Sequence, residues 1–123
     1  MKLEEVRRFL AAEVICGEDF MQCDIFTACG ADLMSDVLAF SKDGALLLTG
    51  LNNAQVIRTA DVGGLSAIIF VRGKNPVNEV VELALELGIP LLKTEHTLYE
   101  ACGILYSNGV KACPPRVNSV GTC

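Results

Sequence analysis

A chain of 123 residues has room for one small domain, because a second independent core needs roughly another 50 to 100 residues, so two-domain enzyme architectures are excluded at this length. Apolar residues make up 51% and charged residues 20%, which is enough to fill a core and unlike a disordered chain. The 10 lysines and arginines against 15 acidic residues leave a net charge of −5, which disfavours general nucleic-acid binding, since a phosphate backbone attracts basic surfaces.

The charged start, Met1 to Arg8, and the lack of any apolar run near the roughly 20 residues of a membrane span give no targeting or anchoring signal, so the expected location is cytoplasmic. Six cysteines (16, 23, 29, 102, 113 and 123) are expected as free thiols, because a chain with this much core needs no disulfide framework. Leu3, Val6 and Leu10 fall at helical spacing and predict a short amphipathic helix over 3–12. Glu13 to Gly17 reads as a brief strand, and Cys23 to Cys29 as a second extended piece.

Gly30-Ala31-Asp32 looks like a helix entry in which Asp32 caps a helix carrying Leu33, Met34, Val37, Leu38 and Phe40, closed by Lys42-Asp43-Gly44. From there strands and helices alternate. Ala45 to Thr49 is a continuous apolar run suited to burial on both faces, followed by a helix over about 53–60. Ala67 to Val71 is the clearest strand, and Pro76 is placed as the first residue of a helix whose apolar face holds Val77, Val80, Val81, Ala84, Leu85 and Leu87. Gly88 stops it, Ile89 to Lys93 makes the next strand, and Thr94 to Thr97 leads into a last helix reaching about Tyr106. Three strand-to-helix units in succession predict an α/β domain with a mostly parallel sheet covered by helices. Residues 1–110 make up this single domain, and 111–123, with Pro114-Pro115, are expected to form a flexible tail.

In such a sheet ligands collect beyond the carboxyl ends of the strands. Three segments map there: Thr49 to Asn53, Arg72 to Asn75, and Thr94 to Thr97. Together they offer hydroxyls, carboxamides, two cations, an imidazole and backbone amides, a set suited to an anionic or nucleotide-like ligand, although plain caps and turns use the same residues. The candidate binding residues are Thr49, Asn52, Asn53, Arg72, Lys74, Thr94 and His96. Arg72 and Lys74 would meet negative charge, Asn52 and Asn53 would read polar edges, and Thr94 with the amides after it would cap an anion. No G-x-x-x-x-G-K-[ST] phosphate loop is present, so P-loop ATP hydrolysis is excluded. His96 is the only histidine and has no nucleophile in its motif, the cysteines give no C-x-x-C, and Asp32 with Asp36 reads more simply as a cap and a solvated neighbour than as a cation site. Cys102 reads as core. No catalytic residue, metal or cofactor is therefore expected; an enzyme or metal protein using Cys16, Cys23, Cys29 or His96 is the rival.

Five segments carry a resemblance to the DRTGG domain family: Gly30 to Ala39, Leu48-Thr49-Gly50, Ala67 to Pro76, Gly88 to Thr94, and Tyr99 to Tyr106. The resemblance implies a small three-layer α/β/α domain similar to the N-terminal domain of HPr kinase/phosphorylase, without that enzyme's catalytic P-loop domain. It implies regulation or binding, and no catalytic residue to carry over. The function expected is a non-catalytic regulatory or accessory domain that binds a small anionic or nucleotide-like ligand at the carboxyl ends of its strands. The alternative, taken from stand-alone members of the family, is a protein-interaction or assembly accessory of an iron-only hydrogenase or related redox enzyme. A homodimer is expected from small size and a mean hydropathy of +0.42.

Overall fold

In chain order the computed structural model, which describes residues 1–113, comprises α1 (Leu3–Phe9), β1 (Glu13–Cys16), a 3-10 turn (Glu18–Phe20), β2 (Thr27–Gly30), α2 (Met34–Phe40) and β3 (Leu46–Thr49). It continues through α3 (Ala54–Gly63), β4 (Ala67–Phe70), α4 (Asn78–Leu87), β5 (Leu91–Lys93), α5 (Leu98–Ser107) and β6 (Lys111–Ala112). The strands form one sheet in the order β1-β5-β4-β3-β2-β6. All neighbours are parallel except β1, which runs antiparallel to β5 along one edge.

Alternation along each strand feeds two cores. Leu46, Leu48, Ala67, Ile69 and Leu92 face one side with Leu3, Val6 and Leu10 of the α1 segment and Ala101 and Leu105 of α5. Leu47, Ile68, Phe70 and Leu91 face the other with Met34 and Val37 of α2, Val56, Ile57 and Ala60 of α3, and Val80 and Ala84 of α4. Every residue of β3 and β4 is buried, which is why these strands read as unbroken apolar runs. The three layers of the α/β/α fold are thus in place, with α1 and α5 on one face and α2, α3 and α4 on the other. Among the described residues no helix is long and apolar enough to cross a membrane.

Several local expectations are corrected. The expected 23–29 segment becomes a strand only from Thr27 and runs on to Gly30, inside the sheet between β3 and β6. The helix after Pro76 starts at Asn78 with Val77 at its N-cap, so the proline precedes the cap and is not the first helical residue. Its buried stripe is narrower than the apolar pattern: Val80 and Ala84 are buried, while Val77, Leu85 and Leu87 are exposed. Gly88 ends it with a left-handed φ of 72°, the conformation that favours glycine. Lys111 and Ala112 were expected in the tail; instead they pair with Thr27 and Ala28 as β6. The rest of the expected tail, from 114 onward, lies outside the described residues.

Truncating Ile69, fully buried at the centre of the sheet, is expected to cost about 2–5 kcal/mol in chemical denaturation, whereas Leu85→Ala on the exposed side of α4 should cost less than about 1 kcal/mol. Comparable losses for the two variants would contradict this assignment of the core.

Candidate ligand-binding site

After β4 the chain passes to α4 on one face of the sheet, and after the adjacent β5 it passes to α5 on the other. Loops that part in this way mark the usual ligand position in open parallel sheets, a candidate crevice beyond the strand ends. Its floor is stitched by backbone hydrogen bonds: the Arg72 amide donates to His96 O at 2.8 Å and the Gly73 amide to Thr94 O at 2.8 Å. Arg72 and Gly73 have consecutive positive φ angles of 57° and 66°, and the Lys74 amide closes the turn onto Val71 O at 3.3 Å. Gly73 is favoured by its left-handed conformation; a Cβ there would lie 2.6 Å from both carboxylate oxygens of Glu95, an exposed side chain free to swing aside. Arg72 lacks glycine's freedom, and a left-handed conformation costs an ordinary residue about 1–2 kcal/mol.

The loop after β3 joins the same surface. Gly50 lies under the Arg72 guanidinium, with Nη2 3.1 Å from where a glycine Cβ would be, and the Asp32 carboxylate oxygens lie 3.6 and 3.7 Å from that point. Asp32 Oδ1 accepts from the Thr49 hydroxyl at 3.0 Å and from the Gly50 amide at 2.7 Å, and Thr49 Oγ1 accepts in turn from the Leu51 amide at 3.1 Å. The Asn52 carboxamide donates to Asn75 O at 2.8 Å, tying this loop to the one after β4. Two cations and two carboxylates are therefore gathered at one end of the sheet: Arg72 and Lys74 with Asp32 and Glu95. Among the described residues neither Arg72 nor Lys74 takes part in an ion pair.

Of the residues singled out from sequence, Arg72 and Lys74 project from the rim as exposed side chains, and Asn53 occupies the N-cap position of α3 without making a capping bond. Thr49 is fully buried and supports the loop from below. Thr94 is corrected: its hydroxyl donates to Leu10 O at 2.7 Å, deep under α1, and the next amides are engaged as well. His96 N–H bonds Thr94 Oγ1, and Thr97 N–H bonds Glu100 Oε1. The N-terminus of α5 is thus closed by the Thr97–Glu100 capping box, whereas α3 and α4 have no side-chain cap and leave their first amides open beside the crevice. The Thr97 amide and hydroxyl, with a smaller contribution from His96, hold the Glu100 carboxyl below its ordinary value. The imidazole is only loosely engaged, with Nδ1 3.9 Å from Glu100.

Asp32 and Glu95 were missing from the expected site. Asp32 was expected to cap α2, but Leu33 holds that position and the aspartate reaches the end of β3 instead. Recognising Thr27–Gly30 as a member of the parallel sheet would have put Asp32 at a strand end beside Thr49. A separate apolar cavity of about 380 Å³ lies under α5, lined by Ala28, Gly30, Leu48, Cys102 and Gly103, with Lys111 on its wall. Burial pushes the thiols of Cys16, Cys23, Cys29 and Cys102 above their ordinary value. Among the described residues no three His, Cys, Asp or Glu side chains are placed to hold a metal ion.

The DRTGG domain family model matches residues 5–107. The chain is also similar to a crystal structure of the CBS and DRTGG domains of the regulatory region of Clostridium perfringens pyrophosphatase, complexed with its activator diadenosine tetraphosphate. The TM-score is 0.65 at 22% identity, over 98% of this chain and 50% of that one, a likeness that establishes a shared fold. The chain spans half the length of that structure. No curated protein sequence matches it.

Replacing Asp32 with alanine leaves the buried Thr49 hydroxyl and the Gly50 amide without their acceptor, at an expected cost of about 1–2 kcal/mol. Asp36→Ala, on exposed α2 surface, should stay within about 0.5 kcal/mol in the same urea titration. Equal effects would show that Asp32 does not brace the β3 end.

Proposed function

The chain belongs to the DRTGG domain family, and from that premise we propose that it is a non-catalytic regulatory module binding a small anionic, nucleotide-like ligand in the crevice beyond β3, β4 and β5. The observation that carries this reading is Arg72. A residue held in the left-handed region at the point where the loops part, with its guanidinium over Gly50 and no carboxylate paired to it, is a cation kept for something outside the chain. Lys74 adds a second charge two residues on, and the uncapped N-termini of α3 and α4 add amide donors.

The two carboxylates narrow the ligand class. Bare phosphate would meet Asp32 and Glu95 as well as the cations and gain little. A nucleoside phosphate can place its phosphates on Arg72, Lys74 and the helix amides while its hydroxyls or base N–H groups donate to the carboxylates. Asn52 is committed to Asn75, so of the two asparagines Asn53 is the one able to read a ligand. The Clostridium perfringens pyrophosphatase region is complexed with a dinucleoside polyphosphate, a compound of this chemical class.

Isothermal titration calorimetry with ADP, ATP and diadenosine tetraphosphate, with inorganic phosphate as the comparison, tests the reading. At least one nucleotide is expected to bind, phosphate much more weakly, and the Arg72→Ala/Lys74→Ala double variant should lose tenfold or more in affinity with its melting temperature unchanged within a few degrees. No nucleotide binding, or an affinity unaffected by the double substitution, would contradict it.

A further inference from the structure

Cys29 sits one residue before the end of β2, and Cys113 directly follows β6. β6 runs parallel to β2 with Lys111 opposite Thr27 and Ala112 opposite Ala28, so the next step of the register sets Cys113 beside Cys29. Strand alternation places them on the same face. Ala28 packs on the α1/α5 side, which turns Cys29 to the other, and Cys113 packs against the core on that other side. Neighbouring strands lie about 4.8 Å apart, inside the roughly 4.4–6.8 Å between Cα atoms that a disulfide spans. Both are free and half-buried.

We propose that Cys29 and Cys113 form a reversible dithiol pair that closes to a disulfide and fastens β6 to β2. The β6 ladder is only two residues long, so a covalent bond there would change how firmly the end of the sheet is held. Lys111 and Ala112 also form part of the wall of the 380 Å³ cavity under α5, which the bond would fix in shape. The oxidant is a low-molecular-weight disulfide. The Cys113 thiol gives its proton to solvent and its thiolate attacks one of the sulfurs, breaking the small disulfide to form a mixed disulfide and expelling a thiolate that takes up a proton. The Cys29 thiol, losing its proton in the same way, attacks the Cys113 sulfur, breaking the mixed disulfide to form the protein disulfide and expelling the second thiolate, which is protonated in turn. Two protein thiols are oxidised by two electrons and one small disulfide is reduced to two thiols, so the exchange balances. Cys102 is the internal control. Its sulfur lies against Gly30 on the α5 side of the sheet, across from the pair.

The test is incubation of the full-length native protein with oxidised glutathione, alkylation of the remaining thiols, and peptide mapping under non-reducing conditions. The expected product links Cys29 to Cys113, is absent from Cys29→Ser and Cys113→Ser, persists in Cys102→Ser and Cys123→Ser, and reverts with reduced glutathione. It should also raise the melting temperature by several degrees, because the bond closes a loop containing most of the chain. If Cys29→Ser fails to fold, Cys29→Ala takes its place. Bridges that exclude this pair, glutathione adducts on either residue without closure, or a link formed only in denaturant would each overturn the proposal.

Discussion

Burial of β3 and β4 on both faces determines where this protein can do chemistry. Every position from Leu46 to Thr49 and from Ala67 to Phe70 is closed off by helices above and below. A charge placed there would lose its hydration without a partner, at a cost of several kcal/mol. Polar groups therefore emerge only where the strands stop. The change of helix side between β4 and β5 makes one of those stops the candidate crevice, and the loops on its margins hold Arg72, Lys74, Asp32 and Glu95.

Within that crevice the loops are braced by one another more than by the sheet. Asp32 joins the end of β2 to the end of β3, Asn52 joins the β3 loop to the β4 loop, and the amides of Arg72 and Gly73 join the β4 loop to the β5 loop. These bonds consume Thr49, Thr94 and Asn52 as supports and leave the two cations, Asn53 and the first amides of α3 and α4 as the groups facing outward. The proposed site would then be organised before a ligand arrives, which would limit the ordering entropy that binding must overcome. Its mixed charge would favour a ligand carrying both anionic and donor groups.

How much of this was legible depended on whether the deciding contact was local. The continuous runs Leu46 to Thr49 and Ala67 to Phe70 announce buried strands, Gly88 announces a helix end, and Arg72-Gly73-Lys74 announces a turn after a strand. β2 was harder to place because Thr27, Ala28 and Cys29 are small and half-buried, with no strong apolar pattern, and its place in the sheet comes from pairing with β3 and β6. β6 has two exposed residues and exists by virtue of that same partner. Asp32 satisfies every local rule for an N-cap, yet its bonds go to residues 17 and 18 positions away. The Thr94 hydroxyl is taken by Leu10, 84 positions away, a competition that no window of sequence contains.

The most direct test of the account is a map of amide chemical-shift changes in the native protein as diadenosine tetraphosphate is added. Binding in the crevice predicts the largest changes at Gly50 to Asn53 and Arg72 to Asn75, with α5 little affected beyond its first residues. Changes concentrated at Cys102, Gly103 and Lys111 around the apolar cavity, or no changes at all, would contradict it.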